Sequence, residues 1–271
     1  MLGVVTRRAG LAFALTLALA SCNDKPSAAP PAAPTAPTPA SAKAPTPAPG
    51  DRSAAGVSYV ELTTRGADPD APLPLVIALH GYGATPESLA SSVADLDVPA
   101  RVVLPRGFDK VEGAGFSWFK MGKKGAELNV TGLERATEKL AVAIAEIART
   151  RPTRGRPIVL GFSQGGMLTF ALALRFPELV AAAFPLSGWM PAELIPQKDP
   201  KKTYPKIIAM HGSADEVLPV APTRDAIATM KERGFSVELL EYPGVAHAVS
   251  GPMRERLHTL IGKALLAEAG K

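Results

Sequence analysis

Cysteine is almost absent from this sequence, whose 271 residues contain only one, at position 22. A single cysteine excludes an intramolecular disulfide framework and any zinc or iron–sulfur site built from several cysteines. No repeat of roughly 20–50 residues is evident, which argues against a solenoid or a propeller. Charge is not concentrated either: the formal net charge of +5 is spread along the chain, which is typical of an ordinary solvated surface. With no concentrated basic segment to bind it, no nucleic-acid partner is predicted.

Apolar residues, in contrast, are plentiful. They make up 46% of the chain, which is enough to build a buried core and excludes disorder over the whole length. A length of 271 residues suits one large domain or two average ones. The positions of the single cysteine and of the 27 prolines help to decide between these alternatives.

Residues 1–22 have the pattern of a bacterial export signal. Arg7 and Arg8 precede an apolar run that, as a helix, would cover ~18 Å of a hydrocarbon core ~30 Å thick. Small residues then lead to Cys22 in a sequence that resembles the lipobox of bacterial lipoproteins. We expect lipidation of Cys22 and anchoring in the bacterial cell envelope, on the periplasmic face or at the cell surface. A standard secretory signal with a chance cysteine is the alternative.

Residues 23–56 are predicted to be a disordered linker. Nine of the 27 prolines lie between Pro26 and Pro49, interleaved with alanine and threonine. Such a segment buries too little surface to offset the entropy lost on ordering it. It should be an extended spacer, at most ~3.1 Å long per residue, between the lipid and a folded domain.

From residue 57 to residue 271, short apolar strands alternate with helices, which predicts one doubly wound α/β domain. Because the strands are apolar along their length, we expect a mostly parallel sheet with helices on both faces. The strands are predicted at residues 57–62 (an edge strand), 75–80, 101–104, 158–162, 180–186, 206–210 and 236–242. Helices are predicted after Thr85, from a capping box of Thr131 and Glu134, and at residues 164–176, 223–233 and 252–267. Ligands of such sheets bind at the carboxyl ends of the strands.

A G-x-S-x-G sequence, Gly161-Phe-Ser-Gln-Gly165, lies between a predicted strand and a predicted helix. In a nucleophile elbow of this kind the serine holds a strained backbone conformation, and small flanking residues let the strand and the helix approach. The turn would place the Ser163 hydroxyl at a helix N-terminus, where developing negative charge is favoured. A glycine-rich turn with an incidental serine is the alternative.

A serine nucleophile needs a base, and the base needs an acid that orients it. In this architecture the chain order is serine, acid, histidine. Asp215 and His247 each follow a predicted strand in that order, so we predict that Ser163, Asp215 and His247 are catalytic. The competing residues fit less well because they lie in a Lys/Pro-rich loop or in helices; they are Asp199, Asp225 and His258.

Backbone N–H groups should stabilise the oxyanion of the tetrahedral intermediate. We predict that Gln164, the residue after the nucleophile, donates one and that Tyr82, in the loop after the first core strand, donates the other. His80 and His211 each precede a glycine at a strand end. With no carboxylate or cysteine at ligand spacing, both are predicted to be buried and hydrogen-bonded, and no metal or other cofactor is predicted.

Together these motifs resemble the phospholipase/carboxylesterase family of α/β-hydrolases, which includes bacterial carboxylesterases and acyl-protein thioesterases. The resemblance implies the α/β-hydrolase fold, the same three catalytic residues and the same two oxyanion donors. It also implies that Trp118 and Phe119 line the substrate pocket, with loop packing as the alternative for this pair. Six segments carry the resemblance over nearly all of residues 57–271: Leu79-His-Gly-Tyr-Gly83, Ser117-Trp-Phe119, Gly161-Phe-Ser-Gln-Gly-Gly166, Leu186-Ser-Gly188, His211-Gly-x-x-Asp215 with Pro219, and Gly244-x-x-His247.

The expected function is that of a serine carboxylesterase, which hydrolyses carboxylic esters, thioesters or lysophospholipids through an acyl-enzyme. The expected partners are small-molecule or lipid esters and the membrane that holds the lipid on Cys22. One alternative is an exported esterase directed at polymers, similar to polyhydroxybutyrate depolymerases or to feruloyl and acetylxylan esterases. Another, of a different class, is a catalytically silent binding module of the envelope.

Overall fold

The computed structural model describes residues 52–64, 66–113, 115–121 and 129–270. The predicted signal peptide, with Cys22, and most of the predicted linker lie outside the described residues. Within the described part of the chain, no helix combines the length and the apolar character needed to cross a membrane.

A mostly parallel sheet forms the centre of the domain. The described residues contain ten strands: β1 (Arg52–Ala54), β2 (Val57–Thr63), β3 (Leu73–Leu79), β4 (Arg101–Pro105), β5 (Asp109–Lys110), β6 (Phe116–Ser117), β7 (Thr153–Phe162), β8 (Ala182–Leu186), β9 (Lys206–Gly212) and β10 (Val237–Tyr242). Eight of them form one sheet in the order β1-β2-β4-β3-β7-β8-β9-β10, while β5 pairs with β6 in a separate hairpin. All neighbours from β4 to β10 run parallel, and β1 and β2 form an antiparallel edge.

Helices cover both faces of this sheet. The α-helices are α1 (Val130–Thr150), α2 (Gln164–Arg175), α3 (Val220–Glu232) and α4 (Gly251–Ala269), and short 3₁₀ helices span Pro86–Ser92, Pro177–Leu179 and Ala192–Leu194. Side chains of β3 alternate between the two faces. Leu75, Ile77 and Leu79 pack in a core with α1, α2 and α3, whereas Val76 and Ala78 pack with α4 and the first 3₁₀ helix. The predicted doubly wound α/β fold is confirmed.

The folded domain begins earlier than predicted. Strand β1 pairs with β2 across a two-residue turn in which Ala55 and Gly56 have φ values of 45° and 72°. Two successive positive φ values are typical of the tight turns that match the twist of a hairpin. Residues 52–56 therefore belong to the domain and not to the linker, and β2, predicted at the edge, has β1 outside it.

The starts of α1 and β7 also differ from the prediction. The side chain of Asn129, and not that of Thr131, caps α1: its Oδ1 accepts the N–H of Gly132 at 2.9 Å. An asparagine before the first helical residue satisfies one of the N–H groups left free there, so the cap lies two residues upstream of the predicted capping box. Strand β7 begins at Thr153, five residues before the predicted start. Its first residues are mostly polar and partly or fully exposed, so the apolar pattern did not include them.

A buried ionic cluster joins β2 and β4 to the end of α1. Arg101 is fully buried, and its Nη1 donates to Oε1 of Glu61, which is 3% exposed, at 2.6 Å. Arg151 donates to both oxygens of the same carboxylate, at 2.7 and 3.0 Å. The second guanidinium nitrogen of Arg101 donates to the carbonyl of Pro69 at 2.9 Å. These bonds offset the cost of removing the charges from water. If one charge were removed, its partner would be left buried without a counter-charge.

Replacing Glu61 by glutamine should therefore destabilise the domain strongly. The fully buried Arg101 would lose its counter-charge, and breaking a buried pair in this way costs about 3–5 kcal/mol of unfolding free energy. The matched control is Glu134→Gln, which breaks a surface pair with Arg175 whose side chains are 39% and 31% exposed. That change should cost at most ~1 kcal/mol. Equal losses for the two variants in urea titrations would contradict this account.

Candidate active site

Ser163 occupies a sharp turn between β7 and α2. Its φ is 57° and its ψ is −117°, a conformation that is strained for a residue other than glycine. The N–H of Ser163 donates to the carbonyl of Leu186 on β8 at 2.9 Å. A Cβ at Gly161 would clash with the Gly165 carbonyl, and one at Gly165 would clash with the Leu79 carbonyl. The elbow geometry predicted from the G-x-S-x-G sequence is therefore present in the structure.

The three predicted catalytic side chains meet in one hydrogen-bonded chain. His247 follows β10, and its Nδ1 lies 2.7 Å from Oδ2 of Asp215. Because a carboxylate only accepts, Nδ1 carries the proton and Nε2 is left as an acceptor. Nε2 lies 3.0 Å from Oγ of Ser163, so the serine hydroxyl donates to it. The Phe162 ring packs against the imidazole with the centroids 4.7 Å apart.

Hydrogen bonds to both oxygens hold the Asp215 carboxylate in place. Its Oδ1 accepts the N–H groups of Val217 and Leu218 at 3.0 and 2.8 Å. The residue is 5% exposed, and these two bonds leave Oδ2 directed at His247. These hydrogen bonds orient the carboxylate, and a histidine base requires such an oriented partner.

The competing residues named from the sequence lie in other environments. Asp199 accepts the N–H of Lys201 at 2.9 Å within its own loop, and Asp225 is exposed on α3. His258 lies on α4 and its Nε2 bonds the carbonyl of Ser92 at 3.0 Å, a packing contact of the kind predicted for it.

A second histidine, His211, contacts the same carboxylate from behind. Its Nε2 lies 2.8 Å from the Leu218 carbonyl and 3.2 Å from Oδ2 of Asp215, so this nitrogen carries the proton. Its Nδ1 lies 3.0 Å from the Thr223 hydroxyl, which is also 3.1 Å from the Gly188 carbonyl. Burial lowers the pKa of His211, so the ring is neutral at neutral pH and does not add a competing cation beside Asp215.

His80 is also buried and hydrogen-bonded, as predicted. Its Nδ1 donates to the Gly81 carbonyl at 2.7 Å, and its Nε2 accepts the Gly107 N–H at 3.0 Å. Burial lowers the pKa of His80 as well. Among the residues that the structure describes, no group of three or more histidine, cysteine, aspartate or glutamate side chains is arranged to hold a metal ion.

The two predicted oxyanion donors lie beside the serine. Gln164 is the first residue of α2 and Tyr82 lies in the loop after β3, and both line a cleft with Ser163. The Tyr82 loop is held in place because the Gly83 N–H donates to the Phe116 carbonyl at 2.8 Å. In the described part of the chain, neither the Tyr82 N–H nor the Gln164 N–H has a protein acceptor, so both remain available to a ligand.

Trp118 and Phe119 do not line the cleft, contrary to the prediction. They are 2% and 3% exposed and pack in the core. The Trp118 Nε1 donates to the His80 carbonyl at 2.7 Å, and the Gln164 side chain bonds the Trp118 N–H and the Phe119 carbonyl at 3.1 and 2.9 Å. Burial is favourable for Trp118 because its indole N–H has an acceptor. The pair therefore packs beneath the cleft and holds His80 and Gln164 in place.

Two clefts meet at Ser163. The larger, of about 670 Å³, has an apolar wall formed by Val111, Met121, Met167, Val217 and Leu218. The smaller, of about 360 Å³, lies on the side of His247 and includes Leu89, Phe162, Val249 and Arg254. The sequence did not reveal these walls because, apart from Phe162 in the G-x-S-x-G sequence, their residues come from loops and helix starts outside that motif. Closeness to a motif in the sequence could have indicated Met167, which follows Gly166, and Val217 and Leu218, which lie just after Asp215 and Glu216.

Acidification should weaken the fold through the two buried histidines. The unfolded chain takes up protons at the ordinary histidine pKa of 6.5, whereas burial lowers the native pKa of His80 and His211. As the pH falls below about 6.5, the unfolded state binds more protons than the native state, so the unfolding free energy falls.

Urea titrations of His211→Asn at about pH 7.5 and about pH 5.5 test this. The variant should be less stable than the wild type at the higher pH, yet lose less unfolding free energy between the two values. An equal loss in the variant and the wild type would show that His211 does not contribute.

Comparison with known proteins identifies the family. The chain matches the model of the phospholipase/carboxylesterase family over residues 65–265. A probable carboxylesterase of Oryza sativa subsp. japonica is 30% identical over 151 residues, which cover 53% of this chain and 55% of the relative. Carboxylesterase SOBER1 of Arabidopsis thaliana is 32% identical over 152 residues, which cover 54% of this chain and 64% of the relative. The chain thus spans between half and two thirds of the length of these curated relatives.

Solved structures show the same fold. The crystal structure of esterase PE8 aligns with a TM-score of 0.63 and 24% identity over 73% of this chain and 96% of that chain. A protein of unknown function from Agrobacterium tumefaciens aligns with a TM-score of 0.61 and 26% identity over 74% of this chain and 94% of that chain. The family match itself covers most of the residues that the structure describes. This chain therefore belongs to the phospholipase/carboxylesterase family and has the α/β-hydrolase fold.

Proposed function

We propose that this protein is a serine hydrolase that cleaves carboxylic esters, including thioesters and lysophospholipids, through an acyl-enzyme. The observation that carries the proposal is the unbroken chain of hydrogen bonds from Ser163 through His247 to Asp215, located where two clefts meet. The relatives named as carboxylesterases support the same reaction class.

The first half of the reaction forms the acyl-enzyme. Oγ of Ser163 attacks the ester carbonyl carbon while His247 Nε2 takes the hydroxyl proton. The carbonyl oxygen becomes an oxyanion, which accepts the N–H groups of Tyr82 and Gln164. When the bond between the acyl carbon and the leaving group breaks, His247 returns the proton to the departing oxygen or sulfur.

The second half releases the acid. A water molecule gives a proton to His247 and attacks the acyl carbon, and the proton returns to Ser163 as its bond to the acyl group breaks. Asp215 keeps His247 in the tautomer with a free Nε2 and stabilises the imidazolium in both halves. The neutral His211 bonds Asp215 without cancelling its charge. These steps use only side chains and backbone groups of this chain, together with water.

The larger cleft suits the acyl group. Its apolar wall would bury a hydrocarbon chain, and burial of each methylene contributes about 0.8 kcal/mol. Met167 is 1% exposed and forms the deep part of the wall, whereas Val217 is 62% exposed at its mouth. A flexible methionine can adapt to acyl groups of different shape, which supports a range of acyl esters as substrates.

Removing the nucleophile or the base should abolish activity. Ser163→Ala and His247→Ala should each lower kcat/KM for p-nitrophenyl butyrate by about a thousand-fold or more, because each removes a group on which the whole chain of proton transfers depends. A fluorophosphonate probe should label the wild type once, at Ser163. The matched controls are Ser236→Ala and Asp225→Asn, which alter exposed residues outside both clefts and should keep wild-type activity.

Undiminished hydrolysis by Ser163→Ala would contradict the mechanism. A folded wild-type chain that neither takes up the probe nor hydrolyses any ester would support the catalytically silent binding module instead.

We further propose that the enzyme is exported and anchored by a lipid on Cys22. The support is the pattern of Arg7 and Arg8, an apolar run and small residues before the single cysteine, followed by the proline-rich segment. A single acyl chain binds membranes only marginally, so stable anchoring requires the several chains that a lipoprotein cysteine carries.

Cys22→Ala should prevent this anchoring. In a bacterial host fed an alkyne fatty acid, the wild type should be labelled and sediment with the membranes. The variant should be unlabelled, because it lacks the thiol that is acylated. A wild-type chain that carries no label would contradict the proposal without affecting the proposed ester hydrolysis.

A further inference from the structure

We propose that the smaller cleft beside His247 binds the leaving group of the ester and selects leaving groups that carry a carboxylate or a phosphate, through Arg254. The inference rests on the proposed function, because it assigns a substrate class to the same site. The leaving group would be an anionic alcohol or thiol, and the acyl group would remain in the larger cleft.

The position of His247 determines which cleft receives the leaving group. His247 must return the serine proton to the departing atom, so that atom has to face the imidazole. His247 lines the smaller cleft, whereas the larger cleft is lined by Gln164 and Met167 on the α2 side of the serine. Both clefts include Ser163 and Tyr82, as expected for two subsites that meet at the scissile bond.

The smaller cleft has one full positive charge and no negative charge. Of the described residues that line it, none is aspartate or glutamate, and Arg254 is the single lysine or arginine. The mouth of the larger cleft, in contrast, carries both signs, with Asp109 and Glu112 beside Lys110 and Lys120. An anionic group in the smaller cleft would therefore meet a cation, and none of the described residues that line the cleft is a carboxylate.

The Arg254 guanidinium, unlike those of Arg151 and Arg175, has no internal partner among the described residues. Arg151 and Arg175 each bond a carboxylate, on Glu61 and Glu134. Within the described residues, no side chain or carbonyl bonds the Arg254 guanidinium, and its Nε is buried without a hydrogen bond. A buried donor without an acceptor costs free energy, which an incoming acceptor would recover.

Local structure holds the Arg254 backbone in place. Arg254 lies in the first turn of α4, where its N–H donates to the Ser250 carbonyl at 2.9 Å and the adjacent Met253 is fully buried. The partial positive charge of a helix N-terminus also favours an anion at this end. The fork of a guanidinium matches the paired oxygens of a carboxylate or a phosphate, so both groups have the chemistry that this cleft would recognise.

Two pairs of butyryl esters test the proposal with the purified full chain in neutral detergent. The first compares meta-butyryloxybenzoate with meta-butyryloxybenzamide, and the second compares butyryl glycerol phosphate with monobutyrin. Within each pair the acyl group is identical, so the larger cleft contributes equally. For at least one pair, the wild type should show a kcat/KM for the anionic ester about ten-fold or more above that for the neutral ester. The preferred pair identifies the anion as carboxylate or phosphate.

Variants then assign the selectivity to one side chain. Arg254→Gln should lower the ratio of the two kcat/KM values by about ten-fold, and Arg254→Lys should lower it less because it keeps the charge but loses the fork. The matched control is Arg256→Gln, which removes the same charge from an exposed position on the same helix and should keep the wild-type ratio.

Three outcomes would overturn the inference while leaving the proposed function intact: a wild-type ratio near one for both pairs, an unchanged ratio in Arg254→Gln, or an equal fall in Arg256→Gln. The last would show a long-range effect of net charge and no binding at this cleft. A wild type that cleaves none of the four esters would instead refute the proposed function and the inference together.

Discussion

The close approach of β3, β7 and β8 to the start of α2 is the constraint on which the rest of the site depends. Ser163 can hold its positive φ only because Gly161 and Gly165 let the strand and the helix come together without side chains between them. The same contact presses α2 against the Leu79 carbonyl, at the end of the strand that carries Tyr82 into the cleft. One packing arrangement therefore exposes the Ser163 hydroxyl and places the backbone N–H groups of Tyr82 and Gln164 beside it.

The charged residues at the two ends of the parallel strands differ in whether their partners all lie within the protein. At the amino ends of the parallel strands, Glu61 and Arg101 are buried and neutralise each other, so their charges stabilise the fold and are closed to ligands. At the carboxyl ends, Asp215 is buried but directs one oxygen at His247, which lines the smaller cleft. The Arg254 guanidinium, at the start of α4, has no partner among the described residues. Charged groups whose hydrogen bonds are all made within the protein stabilise the fold. Groups that still have a free donor or acceptor can bind or react with a ligand.

Short-range patterns predicted most of the fold and singled out the three residues that the structure joins by hydrogen bonds. Apolar runs are sufficient to indicate buried parallel strands, and the order of Ser163, Asp215 and His247 follows from loops after such strands. Features that depend on tertiary packing were missed or wrong. Trp118 resembles a pocket residue in sequence, yet its indole finds an acceptor in the His80 carbonyl and is buried. The pairing of β1 and the contact of His211 with Asp215 likewise involve residues that no local pattern connects.

The central claim is that Ser163 becomes covalently acylated during turnover, and direct trapping of this intermediate tests it. The wild-type chain would be mixed with p-nitrophenyl butyrate, quenched in acid during the first turnover, digested, and examined by mass spectrometry. The account predicts one butyryl group on the peptide that contains Ser163, and none when the Ser163→Ala variant is treated in the same way. Release of p-nitrophenol by the wild type with the butyryl group on another residue, or on none, would contradict it.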